Sequence, residues 1–255
     1  MLTISYDGSG FAGWQSQPRG NTIQDVLEAA LARILKCPGT RIHSSGRTDA
    51  GVHALAQTAH FDAPPACRLD AAMWRNALNA NLPPTLRVLR CAEMPPQFHA
   101  RFDATGKTYA YRICTAPVLP PLEFGRAWHV PHPIDLGILT ACCREMEGRH
   151  DFSAFAARRR GDDPSVPDYA VRSLWTVRPE TTGAFLTITY HGEGFLYKMV
   201  RLLTGTQVRI AQGREPLSSL RQFLQNPGGP KSTHLAPAAG LCLVRVDYPP
   251  SILPA

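Results

Sequence analysis

The residues with the clearest chemical potential lie in one short segment, SSGRTDAGVH at positions 44–53. It contains Arg47 and Asp49, two opposite charges two positions apart. In an extended segment such residues point the same way, so both side chains could face one cleft. A carboxylate placed there can act as a nucleophile or as a general base. The ordinary alternative is that Asp49 forms a turn by bonding its own backbone in a loop rich in Gly and Ser.

The segments around this loop have the patterns of regular elements. Residues 52–61 alternate small or apolar residues with polar ones, which is typical of a half-buried strand. Apolar residues recur at helical spacing after Thr22 and after Asp70, both of which are good N-caps. The first 93 residues are therefore predicted to contain strands 2–6, 40–44, 52–61 and 85–92 and helices 23–35 and 71–81. This β-α-β-β-α-β order is ferredoxin-like.

The second half is also predicted to mix strands and helices, namely strands 106–113, 171–177, 185–190 and 241–246 and helices 135–147, 195–211 and 217–224. In strand 106–113, Tyr109 and Tyr111 share one face. Arg201 lies on a predicted amphipathic helix, where an arginine is ordinarily a surface cation. The arginine run at 158–160 is interpreted as a surface loop, either solvated or touching RNA. The Gly- and Pro-rich segment 226–237 is interpreted as flexible.

Composition narrows the class of protein. The chain has 255 residues, 44% of them hydrophobic, which is enough for a substantial core in one large domain or two lobes. A net charge of +7, carried mainly by arginine, favours an acidic partner. Seven scattered cysteines indicate free thiols in a reducing compartment rather than a disulfide framework. No signal peptide and no apolar run of roughly 18 residues is found, so we expect a cytoplasmic protein without a membrane span.

The segment GRTDAGVH resembles the active-site motif of the TruA family of tRNA pseudouridine synthases. Other pieces similar to that family occur in the same order along nearly the whole chain: YDGS at 6–9, GWQ at 13–15, ALN at 77–79, FHAR at 98–101, KTYAY at 107–111, HDF at 150–152 and MVR at 199–201. The 156–168 and 226–237 segments match the family only loosely.

The resemblance implies an α+β pseudouridine synthase fold, in which two lobes share a continuous, mainly antiparallel sheet with flanking helices and a central cleft. We place these lobes at residues 1–101 and 102–255. It also implies a homodimer that binds the tRNA anticodon stem-loop and converts uridine to pseudouridine at nucleotides 38, 39 and 40. Neither a cofactor nor a metal is implied.

The resemblance assigns roles to five residues. Asp49 matches the catalytic aspartate, and Arg47 matches the arginine that fills the gap left by the flipped base. Tyr109 matches the tyrosine that packs on uracil. Arg201 matches the arginine paired with the catalytic carboxylate, and Leu241 an apolar wall of the uracil pocket. Attack at C6, attack at C1′ and elimination remain open as the role of the carboxylate.

Two functions of other classes compete with this interpretation. One is a tRNA-binding protein or chaperone that has kept the fold but lost catalysis. The presence of Asp49, Arg47 and Tyr109 together argues against it. The other is a metal-dependent nucleic-acid hydrolase built on Asp7, Asp49 and His53, which would need clustered hard oxygen ligands.

Overall fold

The computed structural model describes residues 1–157 and 168–253, so the arginine run at 158–160 lies outside the described residues. Within these ranges the strands are β1 Leu2–Tyr6, β2 His43–Ser44, β3 His53–His60, β4 Leu86–Cys91, β5 Gly106–Cys114, β6 Trp128–His129, β7 Gly148–Asp151, β8 Val171–Thr182, β9 Phe185–Gly192 and β10 Leu241–Asp247. The helices are α1 Ile23–Leu35, α2 Ala71–Asn81, α3 Leu136–Met146, α4 Met199–Ala211 and α5 Leu217–Gln225. Strand pairing is mainly antiparallel, which confirms the α+β class. No helix in the described ranges is both long enough and apolar enough to cross a membrane.

The chain divides into two compact units, one formed by Met1–Gly106 with the segment that begins at Cys242, the other by Lys107–Leu241. The division into functional lobes at residue 101 stays a prediction. By packing, most of β10 belongs with the first unit because Cys242 and Leu243 pair in parallel with β3. No local pattern marks this return of the chain, since it depends on pairing between residues almost 200 positions apart.

In the first unit, β1 lies between β3 and β4 and pairs antiparallel with both. Alternate residues of β1 are buried, as expected for a strand with one covered face. Helix α1 begins where the Thr22 side chain accepts the backbone N–H of Asp25, and α2 begins where Asp70 accepts that of Met73. The predicted β-α-β-β-α-β order is confirmed, although β2 is shorter than predicted.

In the second unit, β9 lies between β5 and β8 and pairs antiparallel with both. Tyr111, Ile188 and Tyr190 are fully buried on this sheet, and α3 packs against both β8 and α4. Strand β7 was not predicted, because its sequence GRHD has no apolar alternation and is recruited by pairing with β8. All seven cysteines are free thiols, and three of them, Cys114, Cys142 and Cys143, are buried.

The predicted start of α4 at residue 195 is wrong, because the helix begins at Met199. Lys198 has a φ of 63°, a left-handed conformation that interrupts a right-handed helix. The apolar residues at 195 and 196 continued the helical spacing in the sequence, but periodicity does not register one residue of opposite handedness. Residues 197 and 198 form a turn that leads into α4.

Candidate active site

The loop that carries Arg47 and Asp49 is anchored through the residue between them. Thr48 is buried, and its Oγ1 lies 2.8 Å from the hydroxyl of Tyr6 on β1. The backbone N–H of Trp14 donates to the Thr48 carbonyl oxygen at 3.0 Å. Arg47 is exposed and Asp49 is half-buried, so burial alternates along the three residues as an extended segment requires. The loop that carries the two charged residues is thus held in place by the side chain and the carbonyl group of Thr48.

Gly13 lets a second segment pass directly behind this loop. A Cβ at this position would lie 2.8 Å from the Thr48 carbonyl oxygen and 3.0 Å from the Asp49 carbonyl carbon. Gly13 also has a φ of +89°, which residues with a side chain rarely adopt. The GWQ piece of the family resemblance therefore acts here through its backbone, and the Trp14 ring itself is a core aromatic, as predicted.

A network of side chains fixes the start of the same loop. The Ser45 hydroxyl donates to Gln57 Oε1 at 2.6 Å, and Gln57 Nε2 donates to the Gly46 carbonyl at 2.9 Å. Ser45 and Gln57 are both fully buried, so these bonds replace the water that the polar groups lose. Burial raises the pKa of Tyr6 well above its usual value, which keeps its hydroxyl neutral beside Thr48. Catalytic geometry depends on such supporting bonds because they limit the motion of the reactive group.

His53 has a structural position at the end of this loop. Its Nδ1 accepts the backbone N–H of Gly8 at 3.1 Å and lies 3.3 Å from Asp7 Oδ1. Across residues 1–157 and 168–253, no three His, Cys, Asp or Glu side chains are grouped to hold a metal. The hydrolase interpretation on Asp7, Asp49 and His53 therefore gains no ligand set from the described residues.

Tyr109 and Leu241 lie in the second unit. Tyr109 is on β5, opposite Tyr190 in the register, and the residue is 8% exposed. Phe195 meets this ring edge to face, with centroids 5.1 Å apart and planes at 82°. Such contacts fix the orientation of an aromatic ring. Leu241 is buried and begins β10.

Arg201 is tied down rather than projecting into solvent as an ordinary surface cation would. Its Nε donates to the Ala236 carbonyl at 2.8 Å, and the Ala236 N–H donates back to the Arg201 carbonyl at 3.1 Å. Arg201 also acts electrostatically on Tyr111: burial raises the pKa of that phenol strongly, and the guanidinium charge opposes the rise. The guanidinium orientation is thus set by the backbone at residue 236.

Residues 231–237, called here the strap, hold that backbone in place. Ser232 bonds to Thr206 through their hydroxyls at 2.7 Å, and its N–H donates to the Ala154 carbonyl. The flexibility expected for 226–237 stays a prediction. Further along, the Tyr111 hydroxyl donates to the carbonyl of Pro237 at 2.7 Å. A Cβ at Gly205 of α4 would overlap the carbonyl of His234, so only glycine admits the strap this close to the helix.

Comparison with known proteins identifies the family. A family model described as tRNA pseudouridine synthase matches residues 2–103 and 142–249, which is most of the chain. The chain belongs to the tRNA pseudouridine synthase family. It is 47% identical over 252 residues to tRNA pseudouridine synthase A of Akkermansia muciniphila, covering 97% of this chain and 94% of that protein. It is 40% identical over 247 residues to the protein of the same name from Pelobacter propionicus, covering 97% and 98% of the two chains.

The resemblance to this family is the reason that five residues are expected at the site. Arg47 and Asp49 share one loop in the first unit, whereas Tyr109, Arg201 and Leu241 belong to the second. Tyr109 lies in the stretch 104–141 that the family model does not match, but the relatives align over nearly the full length of the chain.

The residues that support the loop were not found from the sequence. Gln57 and Ser45 read as ordinary polar residues of a strand and a loop, although both are fully buried. The available signal for Gln57 is weak, because β3 also contains His53, Thr58 and His60 as polar residues. Its partners at residues 45 and 46 could be recognised only once β2 and β3 were paired.

Proposed function

We propose that this protein is an isomerase that converts uridine to pseudouridine in tRNA, at nucleotides 38, 39 and 40 of the anticodon stem-loop, with Asp49 as the catalytic residue. One observation carries the proposal: Asp49 sits in the GRTDAGVH motif, on a loop clamped behind by Gly13 and Trp14 and below by Tyr6. A half-buried carboxylate on so fixed a loop suits a reaction that needs one carboxylate in one position.

The reaction is an internal rearrangement, so it consumes no second substrate. The C1′–N1 bond breaks, uracil turns, C5 bonds to C1′, and the proton lost from C5 is balanced by one gained at N1. A carboxylate can promote bond breakage as a nucleophile on C6, as a nucleophile on C1′, or as the base of an elimination. All three roles require Asp49 to hold an ionised carboxylate oxygen against the flipped nucleotide.

The other residues would supply binding and base flipping. A uridine inside a stem must leave the stack, at a cost of a few kcal/mol. Arg47, exposed on the same loop, would occupy the vacated space. Tyr109, with its ring fixed by Phe195, would stack on uracil, a contact worth roughly 1–3 kcal/mol. Arg201 would keep the carboxylate ionised, and Leu241 would form an apolar wall of the uracil pocket.

The test measures pseudouridine in tRNA transcripts that carry a single uridine at position 38, 39 or 40, under single-turnover conditions with a chelator present. We expect wild-type protein to modify these sites and Asp49→Asn to form no product while retaining most of its tRNA affinity. Asp70→Asn is the matched control, because this residue caps α2 and asparagine caps a helix equally well.

Each contrary result has a distinct meaning. Product formed by Asp49→Asn over several turnovers would remove the catalytic assignment. A wild-type protein that binds tRNA but leaves every uridine unchanged would support the non-catalytic tRNA-binding interpretation instead. The expected homodimer stays a prediction, which light scattering with and without tRNA would test.

A further inference from the structure

A turn in the first unit presents a phenylalanine to solvent. Phe102 is 74% exposed, although Phe98 and Ala100 just before it are buried. A single exposed apolar side chain is common on protein surfaces and by itself indicates nothing. What distinguishes Phe102 is the way in which the turn and the neighbouring rings hold it.

The turn at 98–103 is fixed by an unusual set of hydrogen bonds. His99 Nδ1 accepts the backbone N–H groups of Arg101 at 3.1 Å and Phe102 at 3.4 Å. Asp103 Oδ2 accepts the N–H of His99 at 2.7 Å, and the Ala100 N–H donates to His60 Nδ1 at 3.1 Å. A segment ordered before binding loses little conformational entropy when a partner arrives. The turn therefore offers the side chains of Arg101 and Phe102 in a prepared arrangement.

The Phe102 ring is the exposed end of a series of aromatic rings in contact with one another. Its centroid lies 4.2 Å from that of His99, with the planes at 31°. The His99 ring meets His60 at 4.7 Å, and His60 stacks on His43 at 5.2 Å. The guanidinium carbon of Arg101 lies 5.7 Å from the centroid of Phe102. An exposed ring with a cation beside it is the combination on which proteins stack unpaired bases while attracting the phosphate backbone.

We propose that Phe102, backed by His99 and accompanied by Arg101, is a stacking site for an unpaired base of the tRNA substrate. This inference rests on the proposed function, since it takes tRNA as the ligand. The net charge of +7 favours the same class of partner. The site contributes affinity and positioning for the tRNA, and it takes no part in the rearrangement of uridine.

The experiment compares the tRNA dissociation constants of wild type, Phe102→Ala and Phe102→Trp at one fixed salt concentration, because phosphate contacts make affinity depend on salt. Loss of one stacked base should weaken binding by Phe102→Ala roughly 5- to 150-fold, whereas tryptophan should restore wild-type affinity. Phe124→Ala is the control: Phe124 is 81% exposed and belongs to the other unit. It should bind tRNA as wild type does.

Several results would overturn the stacking site. These are wild-type affinity in Phe102→Ala, equal weakening in the Ala and Trp variants, and equal weakening in Phe124→Ala. A changed oligomeric state in Phe102→Ala with unchanged affinity would assign the ring to contact between two copies of the chain. The proposed function is judged separately, by pseudouridine formation in wild type. If wild type binds tRNA without modifying it, the function fails while the Phe102 comparison still decides the stacking site.

Discussion

Replacing Gly13 by alanine should disturb the loop of Asp49 directly, because the added methyl group faces the backbone of residues 48–50. The new Cβ would lie 2.8 Å from the Thr48 carbonyl oxygen and 3.0 Å from the Ala50 nitrogen. Both neighbours are backbone atoms, so no flexible side chain can turn away to make room. The loop must move by roughly half an ångström or more, because an ordinary contact begins at 3.4 Å.

Two costs add at this position. An alanine at a φ of +89° is strained by roughly 1–2 kcal/mol, and overpacking against a fixed backbone costs typically 1–3 kcal/mol. We expect Gly13→Ala to lose about 2–5 kcal/mol of unfolding free energy. Because catalysis falls by about 100-fold for a misplacement of about 1 Å, a shift of this size should slow pseudouridine formation roughly 10- to 100-fold.

Gly20→Ala separates the two costs. Gly20 also has a positive φ, +65°, but a Cβ there meets nothing within 4 Å. It should therefore show the strain alone, about 1 kcal/mol, and keep the wild-type rate. The measurements are urea unfolding and single-turnover rates at saturating tRNA for wild type and both variants. If Gly13→Ala matches Gly20→Ala in both stability and rate, the close approach of Gly13 to the Asp49 loop does not control catalysis.

Two further predictions concern stability. Burial, with a smaller effect from neighbouring histidines, lowers the pKa of His60 to about 4. Between about pH 6.5 and pH 4, the unfolded chain therefore binds a proton at His60 that the folded chain does not bind. Unfolding free energy should thus fall by about 1–2 kcal/mol as pH drops through that window, and His60→Asn, which keeps an acceptor for the Ala100 N–H, should lose this dependence in urea titrations at several pH values. Ser232→Ala should cost about 1–2 kcal/mol, because it breaks the buried hydroxyl pair with Thr206 and loosens the strap. The exposed Ser218→Ala in α5 should cost nothing, and equal losses in the two serine variants would contradict a specific role for the strap.

Local signals in the sequence were sufficient for most of the elements and for the centre of the candidate site. Helices α1 and α2 begin at the predicted caps, Thr22 and Asp70, because capping involves residues only three positions apart. The strands of the first unit follow from alternation within a few residues. Arg47 and Asp49 could be singled out because an ungapped motif holds both.

Only the tertiary structure decided how that centre is supported. Three contacts join residues that only folding brings together. They are the passage of Gly13 behind Thr48, the buried hydrogen bond between Ser45 and Gln57, and the bond from Arg201 to the strap. The same holds for β7, which exists by pairing with β8, and for the parallel pairing of β10 with β3. Contacts of this kind depend on which distant segments meet, and neither periodicity nor capping carries that information, since both describe a chain over a few residues.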